Sequence, residues 1–374
     1  MAESVVAGRP GRSPDDLSRA VPVRAEDTFD VAAVAQWLTE HGVPGAESGA
    51  VPDVRQFPGG ASNLTYELRY RRHRLILRRP PHGSRVRSAH DMRREFTVQS
   101  ALVGAFPYVP RMLALCTDLD VIGSDFYVME KVDGLILRTD PPPGFGLDKA
   151  ATRRLCLTFV DRLVELHSVD VQAVGLGGLS RGDGYVARQV EGWTERFRRA
   201  RTPDVPDYER TIGWLAASRP PDVAARLIHN DFRFDNVVLA SDDHERIVAI
   251  LDWEMATVGD PLMDVGGALA YWAQADDDPT MLRLRRQPTH LPGMLTRSEV
   301  WDRYADLTGF DTSGRRFYEV FGLFRLAVIA QQIYYRFREG QTHNPAYGRF
   351  HELVTYLDHR IEQDLLADRS EGRG

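Results

Sequence analysis

Five polar side chains with the chemistry of a phosphoryl-transfer site lie within residues 227–264 of this 374-residue chain. They are His229, Asp231, Asn236, Asp252 and Asp264. Carboxylate and amide oxygens are the ligands that Mg²⁺ prefers, and a carboxylate beside a hydroxyl can also accept its proton. Phosphoryl transfer needs both functions at one point. The question is whether the fold brings these side chains together.

Two apolar runs in the same stretch indicate how this would happen. Residues 237–240 and 247–251 flank a polar turn, which predicts a β-hairpin. Asp231 precedes the first strand, Asn236 opens it, and Asp252 follows the second strand. The hairpin would therefore place two carboxylates and one amide at the same end.

The wider chain predicts an α+β architecture with two lobes. Residues 28–132 combine strand patterns at 64–70 and 74–78 with a helix at 91–103. Residues 133–366 are mostly helical, with the hairpin embedded, and Lys149–His167 is strongly periodic. We also expect a disordered or draped tail at residues 1–27, a polar tail at 367–374, and a hairpin around Gly123.

The composition limits the partners. The net charge of −6 disfavours a general nucleic-acid binder. No apolar run is long enough to cross a membrane, and the first residues lack the apolar segment of a secretory signal. Cys116 and Cys156 show no metal-ligand spacing. We expect a cytoplasmic protein without nucleic-acid or membrane partners, and a homodimer is left open.

The motif spacing resembles that of a known family. Residues 229–236 follow the pattern H-x-D-x-x-x-x-N, residues 252–253 read DW, and residues 259–264 read GDPxxD. This combination is similar to the aminoglycoside phosphotransferase and choline kinase family, whose fold is protein-kinase-like: a small antiparallel-sheet N-lobe and a larger helical C-lobe. A narrower resemblance is to the phosphotransferase domain fused to some acyl-CoA dehydrogenases. It rests on residues 54–57, 60–63, 88–90, 94–96, 115–118, 123, 126–130, 336 and 340.

The resemblance implies roles in the catalytic loop. Asp231 would orient the acceptor hydroxyl and accept its proton, while Asn236 and Asp252 would hold Mg²⁺. Arg233 would contact the γ-phosphate of ATP, and the less favoured alternative is a surface arginine paired with Asp235. His229 and Asp264 are expected to brace the loop, and Asp260 to cap the next helix.

The nucleotide would bind in the N-lobe. Arg78 ends the strand pattern RLILR on the same face as Ile76, where kinases have a lysine, and Glu95 is its expected ion-pair partner. Arg78 could otherwise be a solvated charge at a strand end. The loop over the ATP phosphates would comprise Gly59, Gly60, Ser62 and Asn63, unless these form only a hairpin turn. Backbone groups of Glu130 and Val132, in the link between the lobes, would bind adenine.

The sequence gives the least information about the molecule that accepts the phosphate. We expect a small hydroxylated molecule, with a hydroxyacyl-CoA or related hydroxy acid as the first alternative. An antibiotic or amino-alcohol kinase is the second, and a non-catalytic ATP-binding scaffold the third. Asp276–278 could bind a cation and Arg283, Arg285 and Arg286 an anion, or both sets could be loop charges. Three polar residues of an apolar stretch belong to a buried network or line a pocket: Arg325, Gln332 and Arg336.

Overall fold

A computed structural model of the chain describes residues 20–58, 63–81, 91–142, 144–342 and 344–371. Within these ranges the chain forms the two predicted lobes, one built on an antiparallel sheet and one mostly helical. The α+β prediction is therefore confirmed. None of the described helices combines the length and the apolar character that crossing a membrane requires.

The N-lobe is a six-stranded sheet in the order β1-β2-β3-β4-β6-β5, with every neighbouring pair antiparallel. Its strands are β1 (Val21–Pro22), β2 (Asp53–Gln56), β3 (Leu64–Arg69), β4 (Arg74–Arg79), β5 (Met112–Cys116) and β6 (Phe126–Glu130). The helices α1 (Val31–Glu40) and α2 (Met92–Leu102) accompany them. Strand alternation sends Leu75 and Leu77 into one apolar cluster and Ile76 into another, which contains Met92 of α2.

The ordered sheet begins earlier than predicted. The sequence suggested a tail up to residue 27, but β1 pairs with β2, and Asp27 is buried. The side chain of Asp27 accepts a hydrogen bond from Gln56 at 2.8 Å, and its carbonyl accepts one from Tyr66 at 2.7 Å. These partners lie 29 and 39 residues away in the chain, so local composition gave no sign of them. Residues 1–19 lie outside the described ranges.

The hairpin predicted around Gly123 is wrong. Residues Leu119–Ile122 form a short helix, α3, whose N-cap Asp118 accepts a hydrogen bond from Asp120 N at 2.9 Å. Gly123 ends this helix with a φ of 78°, a conformation that glycine adopts without strain. The strand β6 that follows pairs instead with β4 and β5.

Eight helices of the described C-lobe carry most of its core. They are α4 (Lys149–His167), α5 (Tyr185–Ala200), α6 (Glu209–Ala217), α7 (Pro261–Leu269), α8 (Pro279–Leu284), α9 (Arg297–Thr308), α10 (Arg315–Arg338) and α11 (Phe350–Glu371). The predicted helix Lys149–His167 is confirmed. The long helix α10 packs against α5, α7 and α11.

Glycines fix the crossing of α7 and α10. A Cβ atom on Gly266 would lie 2.4 Å from the carbonyl oxygen of Tyr318, and one on Gly322 would lie 2.3 Å from the carbonyl oxygen of Gly266. Only glycine allows the two backbones to approach this closely. The crossing holds α7, and with it Asp264, against the loop that follows β8 (Arg226–Ile228).

The hairpin predicted between Asn236 and Asp252 is confirmed. Its strands are β9 (Val237–Leu239) and β10 (Ile247–Ile250), and β7 (Leu135–Ile136) adds a third strand beside β9. A separate pair joins β8 to β11 (Thr257–Gly259). Residues 229–236 leave β8 and enter β9, while Asp252 lies between β10 and β11. The two small sheets therefore hold both segments side by side.

Candidate active site

Asp264 holds the loop that carries Asp231. This carboxylate is 1% exposed and accepts hydrogen bonds from the backbone N–H groups of His229 at 2.7 Å and Asn230 at 2.8 Å. Its third partner is His167, at 3.1 Å. Burial by itself raises the pKa of Asp264, but the hydrogen bond and charge of His167 outweigh it and hold that pKa below its ordinary value. Asp264 thus braces the loop as a carboxylate.

His229 is a second brace. Its imidazole is fully buried, with Nδ1 3.2 Å from the N–H of Asp231 and Nε2 3.1 Å from the carbonyl of Leu251. Burial lowers the pKa of His229, which favours the neutral ring. A neutral ring accepts from Asp231 N and donates to Leu251 O, so His229 joins the loop to the end of β10.

Asp231 lies at the centre of a polar cluster. Its Oδ2 accepts hydrogen bonds from Asn236 Nδ2 at 2.9 Å and from Arg233 Nη2 at 3.0 Å. Arg233 also lies 3.4 Å from Asp235 and stacks over the ring of Tyr271 at 4.4 Å. The structure therefore contains the predicted contact of Arg233 with Asp235, but the side chain is only 13% exposed and so is not a surface arginine. Its contact with Asp231 was not predicted.

Asn236 and Asp252 fit the role of metal ligands. Asn236 uses its Nδ2 to bind Asp231, and no described residue hydrogen-bonds its Oδ1. The side chain of Asp252 is 35% exposed in the cleft, and its backbone has a φ of 67°, which is uncommon for aspartate. The described residues contain no group of three or more His, Cys, Asp and Glu suited to a metal. A Mg²⁺ ion here would complete its shell with phosphate oxygens and water, as Mg²⁺ commonly does.

Arg78 connects the two lobes at this point. One nitrogen of its guanidinium pairs with Glu95 of α2, and another lies 3.1 Å from Asp252. The expected ion pair between Arg78 and Glu95 is thus present, and the solvated strand-end alternative is wrong because Arg78 is 8% exposed. Burial alone would lower the pKa of Arg78, but the nearby carboxylates raise it.

Glu254 belongs to the same network, although sequence reasoning missed it. Its Oε2 accepts a hydrogen bond from Asn63 Nδ2 at 3.0 Å and lies 3.8 Å from Arg78. Arg94 of α2 donates to the carbonyl of Glu254 at 3.2 Å and to that of Ala256. Asn63 and Glu254 are 191 residues apart. Only the position of Glu254, two residues after Asp252, could have indicated its role.

The remaining nucleotide-site predictions have mixed outcomes. Gly59, Gly60 and Ser62 lie outside the described residues. Val132 lines the cleft between the lobes, as expected for the link. The N–H of Glu130 donates to the carbonyl of Arg111 at 2.9 Å, so this group is not available to a purine base.

The cleft continues past Asp231 into the C-lobe and has a volume of about 1870 Å³. One wall is apolar and half-buried, with Leu326 and Ile329 of α10 facing Phe350 and Leu353 of α11. Another part of the lining comes from α5, α10 and the segment before α5, and it includes five arginines: Arg181, Arg188, Arg196, Arg325 and Arg336. The sequence left open whether Arg325, Gln332 and Arg336 line a pocket or join a buried network. All three line the cleft, and Arg325 also donates to the carbonyl of Asn230 at 2.8 Å.

The charged loop residues proposed as ion sites are largely engaged. Asp277 pairs with Arg297 at 2.7 Å and with Arg360 at 2.8 Å. Burial raises the pKa of Asp277, but the hydrogen bonds and charges of these arginines bring it down to about 2. Asp278 caps α8, and Arg285 pairs with Asp140 at 2.6 Å. Asp260 caps α7, as predicted, through hydrogen bonds from Leu262 N and Met263 N.

Comparison with known proteins agrees with this geometry. Residues 53–307 match the family described as "Phosphotransferase enzyme family". Mouse acyl-CoA dehydrogenase family member 10 is 35% identical over 322 residues, which are 86% of this chain and 30% of that protein. Chicken acyl-CoA dehydrogenase family member 11 is 34% identical over 345 residues, 90% of this chain and 43% of that protein. The chain thus spans less than half the length of these two relatives.

A solved structure shares the fold of the described residues. It is a candidate aminoglycoside phosphotransferase from Ralstonia eutropha, 28% identical, with a TM-score of 0.76 over 90% of this chain and 98% of that one. The similarity covers both lobes, because the match leaves only a tenth of this chain outside it. The predicted kinase-like fold is therefore confirmed.

Proposed function

This chain belongs to the phosphotransferase enzyme family, and from that premise we propose that it transfers the γ-phosphate of ATP to a hydroxyl group of an acyl compound. The acceptor class we favour is a hydroxyacyl-CoA. The observation that supports phosphoryl transfer most directly is the cluster of Asp231, Asn236 and Arg233 beside Asp252 and Arg78.

The residues of the chain divide the chemistry among them. Asp231 accepts the proton of the acceptor hydroxyl. In the same step the hydroxyl oxygen forms a bond to the γ-phosphorus of ATP, while the bond between that phosphorus and the ADP oxygen breaks. Arg233 and Arg78 place positive charge near the transferred group. Mg²⁺, when bound by Asn236 and Asp252, would neutralise charge on the phosphates. Arg233 contacts Asp231 and so helps to orient the carboxylate that accepts the proton.

Two observations favour an acyl acceptor over a cationic antibiotic. The relatives with the highest identity reported above are named for acyl-CoA dehydrogenases. The described acids that line the cleft are Asp91, Asp231, Asp235, Asp252 and Glu254, and none of them lies on α5, α10 or α11. A cationic aminoglycoside would require carboxylates at that end of the cleft, where the described lining residues carry arginines instead.

A non-catalytic scaffold is the less favoured alternative. Such a protein has no need for a carboxylate held by Asn236 and Arg233 next to a second carboxylate on a strained backbone. The presence of Asp231, Asn236 and Asp252 in one cluster therefore supports turnover.

The test is ATP consumption with a panel of acceptors. The panel comprises 4-hydroxyacyl-CoAs, free hydroxy acids, aminoglycosides, macrolides and choline, each with Mg·ATP. We expect ³²P transfer from γ-labelled ATP to the hydroxyacyl compounds. Turnover of only the antibiotics or choline would overturn the acyl acceptor, and the absence of turnover with every compound would support the scaffold.

A further inference from the structure

We propose that the arginines of α5 and α10 form a subsite for a polyanionic part of the acceptor, carrying two or more phosphate groups, in the C-lobe part of the cleft. The members are Arg188 and Arg196 of α5, Arg336 of α10 and Arg181 just before α5. This inference rests on the proposed function, because it assigns the part of the acceptor that does not react.

A chain of contacts links this subsite to the catalytic loop. The guanidinium of Arg325 donates to the carbonyl of Asn230, the residue before Asp231, at 2.8 Å. The same guanidinium lies 5.4 Å from the ring of Trp193, and that of Arg196 lies 4.8 Å from the same ring. Arg196 is therefore one indole ring away from an arginine that touches the catalytic loop. An extended acceptor could reach both.

The charges of the subsite lack carboxylate partners among the described residues. Arg196, Arg181 and Arg336 form no ion pair there, although the salt bridges elsewhere in the chain are many. The neighbouring carboxylate of Glu195 lies 3.2 Å from Arg199. Arg188 donates to the backbone carbonyls of Gly182, at 2.9 Å, and Asp183.

The like charges affect each other. Burial, followed by the charge of Arg199, lowers the pKa of Arg196, and Arg325 contributes in the same direction. Glu195 acts in the opposite direction, so Arg196 has one nearby negative charge against two positive ones. A bound anion would relieve the repulsion.

The helix faces are suited to this role. Arg188, Gly192 and Arg196 are spaced by four residues, so they share one face of α5. Glycine is disfavoured inside a helix, but at position 192 it leaves the space between the two arginines open. A Cβ atom there would lie 3.4 Å from the guanidinium of Arg196. On α10, Arg325, Ile329, Gln332 and Arg336 form the facing stripe.

The number of arginines selects the chemistry of the ligand. A single carboxylate offers one bidentate site, whereas several guanidiniums in one wall match the oxygens of more than one phosphate. Two sources share this chemistry. One is a nucleotide-bearing thioester such as coenzyme A, and the other is a smaller phosphorylated acceptor.

The first test compares the variant R188Q/R196Q with R198Q/R201Q, which also removes two positive charges, from exposed residues near the end of α5 that do not line the cleft. The substrates are one hydroxyacyl group on coenzyme A and the same group on pantetheine, which carries no phosphate. We expect R188Q/R196Q to raise KM for the CoA ester about tenfold or more, with kcat and the KM for ATP changed less than about twofold. The KM for the pantetheine ester should stay near that of the wild type.

An equal rise of KM for both esters, or no rise for either, would overturn the subsite. R198Q/R201Q shows whether general loss of charge explains the result, since its KM for both esters should match that of the wild type. A rise with R198Q/R201Q as large as that with R188Q/R196Q would also overturn the assignment.

The second test does not depend on turnover. Isothermal titration measures binding of coenzyme A, adenosine 3′,5′-bisphosphate and inorganic pyrophosphate to the full chain with Mg²⁺ and a non-hydrolysable ATP analogue present. Binding that is weakened in R188Q/R196Q supports the subsite even if no acceptor is ever phosphorylated, in which case only the proposed function fails. Tighter binding of coenzyme A than of pyrophosphate identifies the nucleotide-bearing source, and equal binding identifies the smaller one. No binding of any probe would overturn the subsite.

Discussion

The arginines at the two ends of the cleft differ in whether a carboxylate balances their charge. At the nucleotide end Arg78 is buried between Glu95 and Asp252, so its charge is matched before any ligand arrives. At the acceptor end Arg196 and Arg336 lie on helix faces with no described carboxylate within ion-pair distance. A cation paired with carboxylates of the protein holds the site residues in position, whereas a cation without such a partner is suited to binding an anionic ligand. In the function we propose, the contrast separates the residues that do the chemistry from those that select the acceptor.

The strongest test of this difference is to remove positive charge at each end of the cleft and measure the free energy of unfolding. Arg78→Gln would leave Glu95 buried without its cation, so we expect the free energy of unfolding to fall by about 3–5 kcal/mol. R188Q/R196Q removes cations that have no described carboxylate partner and loses only the hydrogen bonds of Arg188 to two backbone carbonyls and the contact of Arg196 with the Trp193 ring, so the loss should stay below about 1 kcal/mol. Urea unfolding of both variants tests this. Similar losses would mean that the two ends do not differ in the way described.

A second prediction concerns the brace under the catalytic loop. Asp264→Asn keeps one acceptor oxygen but loses the charge that two backbone N–H groups and His167 share, so we expect a loss of about 2–3 kcal/mol at neutral pH. The folded pKa of Asp264 lies below its unfolded value of 3.8. The carboxylate therefore contributes stability above pH 3.8, and this contribution is lost as the pH falls toward the folded pKa.

The difference between wild type and Asp264→Asn should accordingly shrink in unfolding experiments below pH 3.8. Asp306→Asn, at an exposed position of α9, is the control and should match the wild type at every pH. A difference that stays constant into strong acid would mean that Asp264 does not act through its charge.

The prediction with the smallest expected effect concerns Glu254, at the nucleotide end of the cleft. Glu254→Gln keeps a hydrogen-bond acceptor for Asn63 but removes the charge near Arg78, whereas Glu254→Ala removes both. We expect KM for ATP to rise about threefold in the first and about tenfold in the second, which is roughly 1.4 kcal/mol. The KM for the acceptor should not change. A rise in the KM for the acceptor alone would mean that Glu254 belongs to the acceptor end of the cleft, which would contradict this assignment.

The sequence predicted the nucleotide end far better than the acceptor end, for a physical reason. His229, Asp231, Asn236 and Asp252 belong to one hairpin, so their spacing alone indicates that they meet. Arg78 and Glu95 lie on a strand and the helix that follows it, only 17 residues apart. Their pairing was predicted from the resemblance to kinases, and strand alternation added only that Arg78 shares a face with Ile76.

The acceptor end depends on contacts between distant helices. Arg325 meets Asn230 across 95 residues, and α5 reaches α10 only through the packing of the C-lobe. Arg325 and Arg336 stood out because polar residues interrupted an apolar helix, but Arg188 and Arg196 lie in a helix rich in charge, where arginine is ordinary. The link from Asn63 to Glu254 was missed for the same reason, since nothing local to either residue indicates the other.

The most direct test of phosphoryl transfer is the variant Asp231→Asn. Asparagine keeps an oxygen for Asn236 and Arg233 but cannot accept the proton of the acceptor hydroxyl. With the acceptor that the wild type turns over best, we expect kcat to fall about 10²–10⁴-fold, with KM for ATP changed less than about threefold. Asp306→Asn should retain full activity. If Asp231→Asn kept kcat near the wild-type value, Asp231 would not be the proton acceptor and the account of the site would be wrong.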